Sequence, residues 1–260
     1  MYQVLNRLKT AVNQLDITDR MQYQPEILEF HLVEDDLYGQ QKELAEAISY
    51  VQSKGTKVYL HHPMKTGNRT LDIISNYPDV RAFYQESCRI LHEICSKNHI
   101  KCVLHCNYAQ SDNSIHISHE NTVKVKHEIE SILTYGKHTF LWEDSINGTF
   151  SFKNPHLFSR IIQPLQLPLV QDVSHSFIAL SGNNEKLLAI TKQISPFVQY
   201  MHLVDSLGQS HDGLPLGEGL IHWNNIKPHT LHKDFIFEIS LDNVHDCRPM
   251  IQSCAFYNSI

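Results

Sequence analysis

The chain has 260 residues, a formal net charge of −6 and 42% hydrophobic residues. This length is typical of one large α/β barrel or of two small domains, and the apolar content is sufficient for a packed core. The chain has no run of about 20 apolar residues and no cluster of Lys and Arg, which argues against a membrane-spanning protein and against a nucleic-acid-binding protein.

Short β-rich runs alternate with helical patterns along the chain, beginning directly at the N-terminus. That terminus, MYQVLNRLKTAV, lacks the apolar stretch of a signal peptide, so we expect a cytoplasmic protein. Eight runs are predicted as strands: residues 2–6, 26–32, 57–63, 101–106, 139–144, 168–175, 198–205 and 234–241. Because helices alternate with strands and the composition shows no break, we predict a single (β/α)8 TIM-barrel domain over residues 1–260. The run 2–6 is short, and an open barrel of seven strands is the alternative.

Two of the intervening segments show apolar residues at helical spacing. The segment 41–54 places four of them on one face: Leu44, Ala47, Ile48 and Val51. The segment 80–97 repeats the pattern with Phe83, Ile90, Leu91 and Ile94. The six cysteines form no CxxC pair, so we expect buried thiols rather than a zinc ribbon or a thioredoxin motif.

Alternation along each strand predicts which side chains point into the barrel. In TFLWED, the inner face carries Leu141 and Glu143, and the bulky Phe140 and Trp142 point toward the helices. The same reasoning predicts inner pairs on four other strands: Tyr59 with His61, Val103 with His105, Tyr200 with His202, and Ile236 with Glu238.

Polar residues follow these apolar ones at the C-terminal strand ends, the rim where barrel active sites lie. They are Glu29 or His31, His61, His105, Glu143, Asp172 with His175, His202 with Asp205, and Glu238. Carboxylates grouped within a few ångströms raise each other's pKa, and a divalent cation removes that conflict. Mixed carboxylate and imidazole ligands suit Mn, Zn, Fe or Co better than Ca. The set therefore predicts a divalent metal at the rim, although any single member is typical of an ordinary polar rim.

Five segments resemble the sugar phosphate isomerase/epimerase family, which shares the xylose isomerase-like barrel with endonuclease IV. They are LWED, QDVSH, MHLVDS, DGLPLGEGLIHW and FIFEISL, and the resemblance extends over roughly residues 26–241. It implies four metal ligands: Glu143, Asp172, His202 and Glu238. It also implies that His175 approaches the substrate or a second metal.

The resemblance implies two alternative chemistries. In an isomerase or epimerase, one metal chelates a sugar carbonyl and the neighbouring hydroxyl and stabilises an enediolate. Glu143 and Glu238 would then transfer the proton as catalytic residues. In an endonuclease IV-like phosphodiesterase, three zinc ions hydrolyse the phosphodiester, and His61 and His105 match ligand positions of that enzyme together with Glu143.

The loop after His202 departs from the nuclease pattern. The nuclease has Asp-x-His there, and alignment on LPLGEG places His211 and Gly213 at those positions. Gly213 offers no side-chain ligand, so a third metal loses one. We therefore expect isomerase or epimerase chemistry, with the phosphodiesterase as the alternative and a barrel of divergent lyase or non-catalytic role as a third class.

The remaining predictions concern contacts around this metal. His61, His105, His175 and His211 are predicted to bind either a second metal or the substrate. Three residues are predicted to contact the substrate: Lys65, Asn107 and Asp205. We expect a small sugar as the partner, rather than a nucleic acid or a membrane. The sequence leaves open which sugar is bound, which metal is held and whether the chain forms a homo-oligomer.

Overall fold

The computed structural model describes residues 4–260. Their strands are β1 (Arg7–Thr10), β2 (Ile27–His31), β3 (Lys57–His61), β4 (Lys65–Thr66), β5 (Arg69–Thr70), β6 (Lys101–His105), β7 (Phe140–Glu143), β8 (Leu169–Asp172), β9 (Val198–Leu203) and β10 (Asp234–Phe237). Eight of them form one sheet in the order β1-β2-β3-β6-β7-β8-β9-β10. All neighbouring pairs in this sheet are parallel. The other two, β4 and β5, form an antiparallel hairpin after β3.

The two edges of the sheet meet, so the barrel is nearly closed. β1 lies against β10, and Arg7 Nη1 donates a hydrogen bond to the carbonyl oxygen of Lys233 at 3.3 Å. The Arg7 guanidinium also lies 4.2 Å from the centre of the Phe235 ring. This architecture confirms the predicted (β/α)8 barrel.

Helices separate the strands of the barrel. They are α1 (Gln14–Met21), α2 (Glu34–Tyr38), α3 (Gln41–Ser53), α4 (Pro78–Asn98), α5 (His119–Leu133), α6 (Gln163–Leu165), α7 (Val173–Ala179), α8 (Asn184–Ile194), α9 (Trp223–Thr230) and α10 (Arg248–Ser259). A π-helical turn, Phe158–Ile162, leads into α6. Among residues 4–260, no helix combines the length and apolar character needed to cross a membrane.

The predicted first strand, residues 2–6, is wrong. Residues 2 and 3 lie outside the described part of the chain, residues 4–6 are not in a strand, and β1 begins at Arg7. Val4 instead packs into the core, and its amide donates to Asn258 Oδ1 at 2.8 Å. The true strand escaped prediction because its sequence, RLKT, alternates charged residues with one leucine rather than presenting an apolar run.

The predicted strand 168–175 is too long at its C-terminal end. β8 stops at Asp172, whose Oδ1 accepts a hydrogen bond from the backbone N–H of His175 at 2.8 Å. A carboxylate in this position caps the first turn of a helix. His175 therefore lies on α7 rather than on a strand.

The barrel interior contains seven buried side chains, one from each sheet strand other than β1. They are Ile27, Tyr59, Val103, Leu141, Val170, Tyr200 and Ile236. The rings of Tyr59 and Tyr200 stack with centroids 4.2 Å apart. The predicted outward residues, such as Phe140 and Trp142, pack with the helices in the separate outer core. The predicted alternation is thus confirmed.

The helical patterns are confirmed with one shift of face. α3 buries all four predicted residues. In α4, Leu91 is buried as predicted, but the face that packs most deeply is centred on Tyr84, Cys88 and Cys95. Phe83, Ile90 and Ile94 pack at the edge of the core. All six cysteines are free and buried, as the sequence predicts.

Candidate functional site

Each interior residue of the barrel is followed, two positions later, by a titratable one. Side chains two residues apart in a strand point to the same side, so the second residue of each pair lies directly above the interior apolar layer at the C-terminal rim. We call this set the rim layer: Glu29, His61, His105, Glu143, Asp172, His202 and Glu238. Seven strands thus direct four carboxylates and three imidazoles into one space.

The four ligands that the resemblance implies lie together. Glu143, Asp172, His202 and Glu238 each offer a ligand atom, and these atoms all lie within 4.8 Å of one another. His202 Nδ1 is 3.2 Å from Glu143 Oε1 and 2.7 Å from Glu238 Oε2. Asp172 Oδ2 is buried and accepts no hydrogen bond from the described residues. A buried carboxylate oxygen without a donor is costly unless a cation compensates it, so these side chains fit a divalent metal.

A second group shares Glu143 with the first. His105 Nε2 is 2.9 Å and His61 Nε2 is 3.4 Å from Glu143 Oε2, and all three side chains are buried. Glu143 Oε1 faces His202 instead. The two oxygens of one carboxylate therefore face two separate sets of imidazoles, an arrangement that allows a carboxylate to bridge two cations.

A third group lies at the edge of the site. Asp172, His175 and His211 bring their ligand atoms within 4.8 Å of one another, with His211 exposed. His175 Nδ1 lies 2.8 Å from the carbonyl oxygen of Asp144, which leaves Nε2 as the free nitrogen of the ring. Gly213 has no side chain that could bind a metal, and its position leaves no room for one. Its φ is +62°, and a Cβ there would clash with Ser240 Oγ.

The charges of the site depend on each other. Burial disfavours the ionised form of Glu143, but His105 and His202 outweigh that effect and hold the pKa of Glu143 well below its usual range. Burial likewise disfavours the imidazolium of His202, but Glu143 and Glu238 raise the pKa of His202 well above its usual range. Without a metal, protons on imidazole balance the carboxylates. A divalent cation can balance the carboxylates instead. Imidazoles that bind it are neutral, so they give up those protons when the metal is bound.

A cavity of about 190 Å³ opens above the rim layer. Glu143 and Glu238 both line it, together with five histidines: His31, His61, His105, His175 and His211. The described residues that line it include neither Lys nor Arg. The cavity is therefore small and rich in hydrogen-bonding groups, and imidazoles are the cationic groups among its described lining residues.

The three predicted substrate contacts occupy different positions. Asn107 lines the cavity, although its amide also donates to the carbonyl oxygen of Asn147 at 2.8 Å. Lys65 is exposed on the β4–β5 hairpin and does not line the cavity. Asp205 is fully buried, and its two oxygens accept four hydrogen bonds, including one from Trp223 Nε1 at 2.8 Å. It anchors the loop that follows β9.

Three residues of the site were missed or left undecided by the sequence. Lys9 Nζ lies 3.7 Å from Glu238 Oε1, and the misplaced first strand hid it. Glu29 and His31 were alternatives for the end of β2, and both belong to the site. His31 lines the cavity with its ring stacked on His61 at 4.3 Å, whereas Glu29 lies beneath it, fully buried. The sequence signal for Glu29 was its position two residues after the interior Ile27, the same spacing that the other six rim residues show.

Solved structures with the same fold include sugar epimerases. The TTHB071 protein from Thermus thermophilus, from a crystal soaked with ZnCl2, superposes with a TM-score of 0.70 at 16% identity, covering 97% of this chain and 96% of that chain. A D-allulose 3-epimerase from Methylomonas sp. in complex with D-allulose gives 0.68 at 14%, with 99% of both chains covered. The 3-keto-D-glucoside 4-epimerase YcjR from E. coli gives 0.67 at 13%, covering 98% and 100%.

Sequence comparison adds one relative. An uncharacterised protein of Methanocaldococcus jannaschii is 27% identical over 200 residues, which are 75% of this chain and 74% of that protein. No protein-family model matches the sequence. At these identities the structural likeness establishes the fold, the same barrel that the sequence motifs predicted.

Proposed function

We propose that the chain is a metal-dependent sugar isomerase or epimerase. The observation that carries the proposal is the placement of Glu143 and Glu238, which line one small cavity and both approach His202 Nδ1, at 3.2 and 2.7 Å. Epimerases that share this fold act on small sugars according to their names, and the cavity volume of about 190 Å³ suits one small polar molecule.

The metal would be held by Glu143, Asp172, His202 and Glu238. A divalent cation held there supplies Lewis acidity, which polarises a substrate carbonyl and makes the neighbouring C–H proton easier to remove. The five histidines that line the cavity supply hydrogen bonds to the sugar hydroxyls. This ligand set favours Mn, Zn, Fe or Co.

Glu143 and Glu238 are the proposed proton-transfer pair. Glu143 ends β7 and Glu238 directly follows β10, three places away in the sheet order, so the two carboxylates approach a substrate in the cavity from different directions. One carboxylate removes the proton from carbon, and the other returns it on the same or the neighbouring carbon. Return to the same carbon from the opposite face gives epimerisation. Return to the neighbouring carbon gives isomerisation when the hydroxyl proton also moves to the former carbonyl oxygen.

The test uses Glu143→Gln and Glu238→Gln with a panel of neutral and phosphorylated ketoses and aldoses in D₂O. General acid–base groups typically contribute about 10²–10⁴-fold in rate, so each variant should lose turnover by that order. The wild type should place solvent deuterium on the substrate carbon. Glu218→Gln, at an exposed position of the loop after β9, is the matched control and should retain activity. Turnover without deuterium incorporation, unaffected in both variants, contradicts the proposal.

A phosphodiesterase that uses several metals is the second candidate, favoured by one observation. His61, His105 and Glu143 form a buried ligand group beside the first, and Asp172, His175 and His211 form another at the edge. One bound ion per chain supports the isomerase, and two or three support the hydrolase, which abasic-site DNA would then test. The absence of Lys and Arg among the described cavity residues favours the sugar.

A further inference from the structure

Glu29 is a buried carboxylate that neither proton transfer nor the four-residue ligand group uses. It lies on β2, two residues after the interior Ile27, and none of its surface is exposed. Burying an ionised carboxylate is costly unless donors compensate it. Two imidazoles lie close to it. His202 Nε2 is 3.1 Å from Glu29 Oε2, and His31 Nε2 is 2.9 Å from Glu29 Oε1.

His202 has its two ring nitrogens directed to opposite partners. Nδ1 faces Glu143 and Glu238 in the proposed metal group, and Nε2 faces Glu29. A neutral imidazole presents a lone pair at one nitrogen only when its proton is on the other. A ligand that binds through Nδ1 must therefore carry its proton at Nε2, and Glu29 provides the acceptor for that proton.

We propose that Glu29 is the positioning residue of the metal site: it holds His202 as the Nε2–H tautomer with Nδ1 directed toward the ion. The inference rests on the metal dependence of the proposed function. Carboxylates that accept the second N–H of a ligand histidine fix its orientation and raise its basicity, and their loss typically weakens metal binding about 10–100-fold.

Glu29, His31 and His61 also bring possible ligand atoms within 4.8 Å of one another, so direct ligation by Glu29 is the alternative that the experiment below must separate from positioning. Glu29 Oε2 is already within hydrogen-bonding distance of His202, and the His31 and His61 rings nearby are stacked with an interplanar angle of 13°. The second oxygen of Glu29 lies 2.9 Å from His31 Nε2 without hydrogen-bond geometry, and the same nitrogen is 3.4 Å from Glu238 Oε1. The hydrogen bond of this carboxylate is therefore directed to His202, the proposed ligand.

The experiment measures Zn²⁺ and Co²⁺ affinity by chelator competition on metal-stripped protein. Glu29→Met keeps the side-chain length but removes the acceptor, and we expect affinity at the primary site to fall about 10–100-fold with the number of bound ions unchanged. Glu29→Gln keeps one acceptor oxygen and should lose less. Asp205→Asn is the matched control, because Asp205 is also a buried carboxylate but accepts its hydrogen bonds from loop residues rather than from the proposed metal ligands. The metal affinity of Asp205→Asn should equal that of the wild type.

Three outcomes would overturn the inference. Equal affinities in the wild type and Glu29→Met exclude a positioning role, and loss of one whole ion in that variant identifies Glu29 as a direct ligand instead. The third outcome comes from the zinc-loaded wild type: we expect long-range ¹⁵N–¹H correlations to show His202 protonated at Nε2, and a proton at Nδ1 instead would overturn the inference. His202→Asn assigns that signal, and this measurement does not depend on whether Glu29→Met folds. A wild type that binds no metal removes the proposed function as well, which separates the two failures.

Discussion

Replacing Asp205 with Asn should destabilise the fold without weakening the metal site. Asp205 is fully buried. Its Oδ1 accepts from the backbone N–H groups of Ser206 at 2.9 Å and Ile221 at 3.2 Å. Its Oδ2 accepts from the backbone N–H of Gly217 and from Trp223 Nε1, both at 2.8 Å. Because all four partners are donors, the site requires acceptors at both oxygens.

Asparagine satisfies only half of this requirement. Its carbonyl oxygen can keep two donors, and its amide group then opposes the other two. Each buried donor left without an acceptor costs about 1–3 kcal/mol, so two cost about 2–6 kcal/mol. The loop between Gly217 and Ile221 reaches the surface and can relax toward water. We therefore expect a loss of about 2–4 kcal/mol in the free energy of unfolding.

Thermal unfolding of the metal-stripped protein measures this loss. For a chain of this size about 2–4 °C in Tm corresponds to 1 kcal/mol, so Tm should fall by roughly 4–16 °C. Asp242→Asn makes the same chemical change at an exposed residue and should leave Tm unchanged. A Tm within one degree of the wild type in Asp205→Asn, or a loss of zinc affinity at unchanged Tm, would show that Asp205 serves the site rather than the loop.

Three further predictions address other parts of the molecule. Leu141→Ala empties part of the barrel interior and should reduce the free energy of unfolding by about 2–5 kcal/mol, measured by urea denaturation. Burial opposes ionisation of Asp234, but its bond to Lys57 outweighs this and lowers the pKa of Asp234. A lowered pKa makes its stabilisation complete above the unfolded value and lost as pH falls through the folded value, so the stability difference between wild type and Asp234→Asn should shrink on acidification toward pH 3. The double variant His61→Ala/His105→Ala should still bind the first metal ion by elemental analysis, and its loss would show that the primary site is wrongly assigned.

Much of the barrel could be predicted because the deciding patterns are local. Alternation from Leu141 to Glu143 depends only on strand geometry, and the same spacing holds on seven strands. β1 could not be predicted this way. Its inner rim residue, Lys9, carries charge rather than apolar surface, and the strand is recognised only by its register with β2, which pairs Lys9 with Glu29.

The sequence by itself determined which residue types reach the rim, since a strand presents every second side chain to the same side. Only the tertiary structure decided which atoms meet there. Glu143 and His202 are 59 residues apart, and Glu29 and His202 are 173 apart, so their contacts depend on the order and closure of the barrel. The same closure buries Asp205 under the loop after β9 and leaves Lys65 outside the cavity. Strand spacing is a property of neighbouring residues, whereas the pairing of ligand atoms is a property of the closed sheet.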